Sequence, residues 1–161
     1  MGNIQPPVLS QTHMETWFAN LLAADAPRLR QGLIARLQPR LLSCDYAAME
    51  TVMAYDVLDW ELNAVKQLHN GIISTGFDTS MGMLCHYYAS PNVLTTVTLS
   101  TTYLKEIPQK QTLQYQSKIK SLGRSLITLE SMAFVGEEQE PSATATATFK
   151  ILHYKKKGDM V

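Results

Sequence analysis

An aspartate in the middle of an apolar stretch is the residue of this sequence that most needs a chemical explanation. Residues 72–84 are mostly apolar or small around Asp78, which predicts a helix buried on most of its faces. An unpaired buried carboxylate is costly, so we expect Asp78 to be paired, protonated or catalytic. Gly76 and Gly82 indicate close approach by another group, because each helical glycine costs about 1 kcal/mol relative to alanine. Gly82 lies one turn after Asp78 on the same face, which leaves room for a ligand beside the carboxylate.

The composition is that of one globular domain with an ordinary hydrophobic core. The chain has 161 residues, of which 45% are hydrophobic. Its 14 basic and 14 acidic side chains balance, so nucleic acid and anionic membranes are not expected as partners. Cys44 and Cys85 form neither a disulfide framework nor a metal-binding spacing, and no signal peptide or apolar run of about 18 residues is evident. We therefore expect a cytoplasmic location.

Two helices are expected before the aspartate. Thr12 and Glu15 form a capping-box pattern, which predicts a first helix over about residues 14–24. Asp25 is the candidate cap of a second helix, with Pro27 in its first turn. The apolar stripe of this helix is Leu29, Leu33, Ile34 and Leu37, and its opposite face carries Arg28, Arg30, Arg36 and Arg40. We interpret the arginines as a solvated face.

Beyond Pro39 the pattern changes to the alternation that is typical of strands. The predicted strands are residues 41–47, 50–58, 93–104, 113–121, 125–134 and 143–152. In the third of these, Val93, Val97, Leu99 and Tyr103 are expected on one face and Thr96, Thr98, Ser100 and Thr102 on the other. Strands with one apolar face need a cover, and the helix predicted over residues 72–86 is apolar enough to provide it. These elements predict a single-layer α+β domain.

Four features of the sequence resemble the PaaI-like group of hotdog-fold acyl-CoA thioesterases. They are His69-x-Gly71 with Asp78 nine positions after the histidine, the run TTVTLSTTYLKEI, the later SLGRS and the closing ATATATFKI. The similarity covers roughly residues 41–152. It implies an α+β hotdog fold, in which an antiparallel sheet wraps around a central helix, preceded by N-terminal helices. Residues 1–40 would then be a helical extension and residues 41–161 the hotdog domain.

The resemblance also implies a homodimer with two active sites at its interface, and many relatives pair further into homotetramers. The family's catalytic carboxylate, a nucleophile or a general base, falls on Asp78; the alternative is a structural aspartate bonded to neighbouring backbone. The backbone N–H that polarises the thioester carbonyl falls on Asn70, where the family usually has glycine. A backbone donor survives any side chain, so His69, Asn70 and Gly71 are expected to form the oxyanion loop.

Two further polar residues match family positions. Asn63 stands six residues before the histidine, where relatives use an asparagine to hold the loop or the carbonyl. Thr96 matches a serine or threonine that places the water. Each also has an ordinary explanation, as a turn former and a strand residue respectively. A metal role for His69 would need more ligands than His13, His86 and His153 offer.

Coenzyme A has to be held at its phosphates, and the candidate residues form two groups. Tyr103 and Lys105 follow the long strand, and Gly123, Arg124 and Ser125 form a tight turn. Lys118, Lys120 and the terminal lysines are competing candidates. No separate cofactor is expected, because coenzyme A is part of the substrate.

Three functions stay open at this point. The first is hydrolysis of acyl-CoA thioesters, and the second is dehydration of hydroxyacyl thioesters, for which Asp78 lacks a convincing partner histidine. The third is a non-enzymatic acyl-CoA sensor whose N-terminal arginines read DNA, which the balanced charge does not favour. The sequence does not specify the acyl group.

Overall fold

The computed structural model describes residues 9–26 and 31–152. Its three helices are α1 (Gln11–Leu21), α2 (Gly32–Leu37) and α3 (Asn70–Ala89). Its six strands are β1 (Arg40–Asp45), β2 (Glu50–Asp56), β3 (Val93–Tyr103), β4 (Thr112–Leu122), β5 (Leu126–Val135) and β6 (Ala143–Leu152). The predicted order of helices and strands is confirmed, and most boundaries differ by a few residues. The predicted cap of the second helix at Asp25 is wrong, because α2 begins at Gly32 with Gln31 as its N-cap.

The six strands form one antiparallel sheet in the order β1-β2-β4-β5-β6-β3. Helix α3 packs on one face of this sheet and contacts β2 to β6. Alternate residues of β4, β5 and β6 are buried, as expected for strands that present one face to a core. The arrangement confirms the predicted α+β fold, with β1 and β3 at the two edges of the sheet.

Gly76 of α3 is explained by the packing of the helix on the sheet. A Cβ atom added there would lie 2.3 Å from the ring of Tyr115 on β4. The Tyr115 hydroxyl donates a hydrogen bond to the carbonyl of Ile73 at 3.1 Å, which holds the ring close to the helix backbone. A side chain at position 76 would displace this buried tyrosine.

The start of α1 differs from the prediction. Ser10 is the N-cap, and its side chain accepts a hydrogen bond from the His13 N–H at 3.2 Å. The predicted capping box of Thr12 and Glu15 is therefore wrong, since Thr12 already lies within the helix and its carbonyl accepts from the Thr16 hydroxyl. Either hydroxyl residue could cap a helix, and in the structure Ser10 is the one that does so.

The predicted faces of β3 are also wrong. The register with β6 shifts between Thr96 and Thr98, which inserts one extra residue at Val97. A bulge of this kind reverses which side chains face the helix on one side of it. Thr96 therefore shares the helix-facing side of β3 with Leu99, and Val97 is exposed. This bulge directs Thr96 toward α3.

Several predictions concern residues outside the described ranges: Pro27, Arg28, Leu29, Arg30, His153 and the lysines 155–157. Of the other two arginines, Arg36 lies over the Trp60 ring at 4.2 Å from its centroid. Arg40 belongs to β1 rather than to the helix and pairs with Asp56 at 2.7 Å. Within residues 9–26 and 31–152, the helices are too short or too polar to span a membrane.

Candidate active site

Asp78 lies in the middle of α3, half-buried, and faces the bulge of β3. Its Oδ1 accepts a hydrogen bond from the Thr96 hydroxyl at 2.7 Å. Oδ2 has no hydrogen-bond donor among the described residues. The carboxylate is thus fixed by one oxygen and offers the other to a ligand or a water molecule. Thr96, a predicted site residue, lies beside the aspartate because of the bulge in β3.

A cavity of about 450 Å³ opens beside this carboxylate. Its lining residues are Leu21, Leu33, Ile34, Asp78, Thr79, Gly82, Met83, His86, Val93, Leu94, Thr96 and Phe149. Gly82 and Asp78 line the same cavity, as the helical spacing predicted. The lining is apolar except near Asp78 and at His86, which suits a ligand with a reactive polar end and an apolar body.

The other predicted loop residues lie at the start of α3, around a second cavity of about 300 Å³. Its lining residues are Asn63, Gln67, Leu68, Asn70, Ile73, Tyr103, Leu104, Lys105, Glu106 and Ile107. Eight residues of helix separate Asn70 from Asp78, which is about 12 Å along the axis at 1.5 Å per residue. One chain therefore places its candidate oxyanion loop and its carboxylate in separate cavities.

His69 shapes this loop as the N-cap of α3. Its Nδ1 accepts a hydrogen bond from the Gly71 N–H at 2.9 Å. A Cβ on Gly71 would lie 3.1 Å from that nitrogen, so the glycine allows the close approach of the ring. The N–H of Asn70, at the first helical position, has no acceptor within the described part of the chain. Of the two N–H groups, that of Asn70 is the one left to point at a ligand.

Asn63 closes the turn that precedes the loop. Its Oδ1 accepts from the N–H groups of Val65 at 3.0 Å and Gln67 at 3.1 Å, and its own N–H donates to the Gln67 carbonyl at 2.7 Å. The side-chain oxygen thus acts within the turn, the ordinary role that an asparagine has in such loops. This fixes Asn63 in the wall of the second cavity.

The candidate coenzyme A residues also lie in two separate places, of which the first is near the second cavity. The Tyr103 hydroxyl lies 2.6 Å from the Ser74 Oγ, and the Lys105 Nζ pairs with Glu138 at 3.4 Å and Glu140 at 3.3 Å. These residues lie at the end of β3 where Tyr103 pairs with Ala143 of β6.

The turn of Gly123, Arg124 and Ser125 lies at the opposite end of the sheet. The Ser125 carbonyl accepts from the Ile151 N–H at 2.8 Å. Eight strand residues separate Ala143 from Ile151, so the two groups are about 26 Å apart at 3.3 Å per residue. A single chain does not bring them together.

Glu61 is a site neighbour that sequence reasoning missed. The residue is only 4% exposed, and its Oε2 accepts from the Leu58 N–H at 2.9 Å. Burial raises the pKa of the Glu61 carboxyl above its ordinary value of 4.5, against the opposing effect of the Leu58 hydrogen bond. The Glu61 carbonyl accepts from the His69 N–H at 2.9 Å, so this buried acid supports the loop. The sequence signal for this buried acid was its position between two hydrophobic residues, Trp60 and Leu62.

Leu21, Leu33 and Ile34 were also missed as site residues. Leu33 and Ile34 belong to the predicted apolar stripe, but a stripe does not tell which element it covers. Among the described residues, no group of three or more His, Cys, Asp or Glu side chains could hold a metal ion.

Comparison with known proteins connects this geometry to a family. Residues 66–142, which include α3 and β3 to β5, match the family model described as Thioesterase superfamily. No match was found among curated proteins.

Three solved structures show the fold. A phenylacetic acid degradation-related protein from Ralstonia eutropha is 22% identical, covers 83% of this chain and 98% of its own, and has a TM-score of 0.70. The PaaI protein of Escherichia coli is 14% identical, with coverages of 89% and 97% and a TM-score of 0.73. A protein from Streptococcus mutans, solved with acetyl-CoA bound, is 21% identical, with coverages of 73% and 91% and a TM-score of 0.64. The predicted hotdog fold and the resemblance to PaaI-like thioesterases are confirmed.

Proposed function

We propose that this protein hydrolyses acyl-CoA thioesters to a free acid and coenzyme A, with Asp78 as nucleophile or general base. The observation that carries the proposal is the Asp78 carboxylate, held by Thr96 at the polar end of an apolar cavity. A thioester needs this combination, because an apolar acyl group has to be held while its carbonyl meets a carboxylate or an activated water. The acetyl-CoA bound to the Streptococcus mutans protein supports an acyl-CoA ligand.

Two routes are compatible with this arrangement. As a general base, Asp78 takes a proton from water while the water oxygen attacks the thioester carbonyl carbon. The negative charge that develops on the carbonyl oxygen is stabilised by a backbone N–H, and then the C–S bond breaks and the coenzyme A thiolate takes up the proton. As a nucleophile, Oδ2 attacks the carbonyl carbon directly, the C–S bond breaks and the coenzyme A thiolate leaves. Water then cleaves the mixed anhydride into the free acid and the regenerated Asp78 carboxylate, and the proton released from the water goes to the thiolate. In both routes Thr96 holds Oδ1.

A second copy of the chain would complete the site. β3 is an edge strand with exposed apolar side chains at Val93, Val97 and Tyr103, and an edge of this kind is a template for pairing. If β3 pairs antiparallel with its copy about a two-fold axis, the Tyr103 end of one strand lies beside the Thr96 end of the other. The Asn70 N–H of one protomer then approaches the Asp78 carboxylate of its partner, and the two groups of coenzyme A candidates also meet. Pairing of such dimers into a tetramer is part of the same proposal.

Dehydration of hydroxyacyl thioesters is less well supported. It needs a histidine acting with an acid on neighbouring atoms, and His86 is the histidine that shares the cavity of Asp78. Eight helical residues put these two about 12 Å apart along the axis, beyond hydrogen-bond reach. Within one chain, the geometry therefore favours hydrolysis.

The test is release of free thiol from a panel of acyl-CoA thioesters. Asp78→Asn keeps the shape and deletes the charge, and we expect turnover to fall by about 10²-fold or more. Asp59→Asn, at an exposed aspartate outside both cavities, is the matched control and is expected to keep wild-type turnover. Full activity in a folded Asp78→Asn protein would overturn the assignment.

A further inference from the structure

We infer that α1 and α2 form the outer wall of the acyl pocket, and that this pocket selects straight-chain aliphatic acyl groups of medium length. The inference rests on the proposed thioester hydrolysis and adds the substrate class of the same site. It starts from the cavity of about 450 Å³ beside Asp78, a volume within the range of about 300–1,000 Å³ that small-molecule sites have.

The residues that line the cavity follow the second half of α3. The helix contributes Asp78, Thr79, Gly82, Met83 and His86, which lie on one face over two turns. Its two ends are about 12 Å apart along the axis at 1.5 Å per residue. β3 runs back along the helix, because Thr96 bonds to Asp78 while Val93 follows the short turn after α3. We call this cavity beside Asp78 the trench. An extended decanoyl chain is about as long as the trench, whereas a phenylacetyl group would occupy about half of it.

Polarity changes along the trench. Asp78, Thr79 and Thr96 provide polar atoms at the end where the thioester would react. The walls beyond them are apolar: Leu21, Leu33, Ile34, Met83, Val93, Leu94 and Phe149. His86, at the far end, packs edge-on against the Trp17 ring with 5.5 Å between centroids. Among the described residues, the walls between these ends offer no charged side chain to a substituted or polar acyl group, so an unsubstituted chain fits them best.

The floor of the trench is kept open by a glycine. A Cβ atom added at Gly82 would lie 3.5 Å from the Phe149 ring, in ordinary van der Waals contact. The position therefore has space for a methyl group, and the glycine costs helix stability without being required by packing. The space is explained if an acyl chain occupies it.

The outer wall is a fixed part of the protein. Met14 and Phe18 of α1 are fully buried, and the His13 Nδ1 lies 3.1 Å from the Tyr87 hydroxyl on α3. Leu37 of α2 is buried in the same core. Helices held in this way can present Leu21, Leu33 and Ile34 as a rigid wall, which is what discrimination by length requires.

The test measures binding of S-alkyl-CoA thioethers to the wild-type protein by calorimetry. Thioethers lack the carbonyl and are not hydrolysed, so the result does not depend on turnover. Each added methylene that is buried should tighten binding about fourfold. We expect affinity to rise from butyl- through octyl- to decyl-CoA, to stop rising at hexadecyl-CoA, and to be lower for phenethyl-CoA than for octyl-CoA.

Leu33→Trp probes the wall, and Leu42→Trp on β1 is its matched control, because the two leucines are 49% and 53% exposed. Filling the trench should lower the ratio of decyl-CoA to butyl-CoA affinity by about tenfold in Leu33→Trp and leave it unchanged in Leu42→Trp. Gly82→Ala, which narrows the trench from the floor, should lower the same ratio in a smaller step.

Affinity that does not depend on chain length, tighter binding of phenethyl-CoA, or equal ratios in the two tryptophan variants would overturn the inference. These outcomes are separate from a failure of the proposed function. Length-dependent binding without any hydrolysis of acyl-CoA would overturn the proposed function alone.

Discussion

The two candidate functional regions of α3 differ in what surrounds them. Around Asp78 the helix is enclosed by β3, β6 and the N-terminal helices, and the carboxylate is fixed by Thr96 at 2.7 Å. At the helix start, His69, Asn70 and Gly71 are exposed, and the Asn70 N–H has no acceptor within the described residues. The region around Asp78 thus forms an enclosed pocket with a fixed carboxylate, whereas the region around Asn70 presents a backbone N–H to the protein surface.

This difference shows how one chain can hold all the proposed catalytic groups without bringing them together. The two regions are about 12 Å apart along a rigid helix, so no local adjustment brings them together. Antiparallel pairing of the β3 edges would place each region against the other region of the partner. The following predictions test whether the two regions act together across a dimer, from the largest expected effect to the smallest.

Asn70→Pro should abolish the donor at the helix start. Proline is well tolerated at the first helical position, and the extended backbone of His69, with ψ of 132°, is compatible with a following proline. Loss of one oxyanion donor is expected to lower turnover by about 10² to 10³-fold, measured with the helix content and melting temperature as folding controls. Unchanged turnover in a folded variant would exclude this N–H from catalysis.

A mixture of two inactive variants should regain activity. Asp78→Ala supplies an intact loop and Asn70→Pro an intact carboxylate, so each hybrid dimer carries one complete site of two. Random mixing makes half of the dimers hybrids, so we expect recovery to about a quarter of wild-type turnover. No recovery in purified hybrids, isolated with two different tags, would argue for a site within one chain.

Thr96→Val should lower turnover by removing the hydrogen bond that fixes Asp78. The substitution keeps a β-branched strand residue and removes the donor to Asp78, and a hydrogen bond to a charged group is worth about 1.5–3 kcal/mol. Turnover is therefore expected to fall by about 10- to 150-fold. Thr98→Val, beyond the bulge, is the matched control; equal turnover in the two variants would contradict the role of Thr96.

Asn70→Gly should change turnover by no more than a few fold. It restores the residue that the family usually has and leaves the N–H in place. A large fall in turnover, with the Michaelis constant recorded separately, would mean that the asparagine side chain itself donates to the oxyanion. Compared with Asn70→Pro, this variant separates the backbone from the side chain.

Glu61→Gln tests the support beneath the exposed loop. Burial raises the pKa of the Glu61 carboxyl, so the folded protein binds more protons than the unfolded chain between the ordinary value of 4.5 and the folded value. Stability is therefore lost as the pH rises through this window, and glutamine removes the loss. We expect Glu61→Gln to have a higher melting temperature than the wild type at about pH 7 and the same melting temperature at about pH 4. If the melting temperatures of Glu61→Gln and the wild type differ by the same amount at both pH values, titration of Glu61 is excluded as the cause.

Local sequence patterns predicted much of the fold and part of the site. The strands β2 to β6 and the helix α3 follow from residue alternation and apolar content, signals that lie within each element. The position of Gly82 beside Asp78 follows from helical spacing alone. The roles proposed for Asn70 and Thr96 came from the resemblance to a family rather than from spacing.

Tertiary structure decided the features that depend on contacts between distant elements. The bulge at Val97 turned Thr96 toward α3, and a shift of one residue in the register reverses faces without leaving a clear mark in the sequence. The reason for Gly76 is Tyr115, which is 39 positions away in the chain. Leu21 and Leu33 became walls of the cavity because α1 and α2 fold back over α3. Periodicity determines which side of an element is buried, but only the packed chain determines what that side meets.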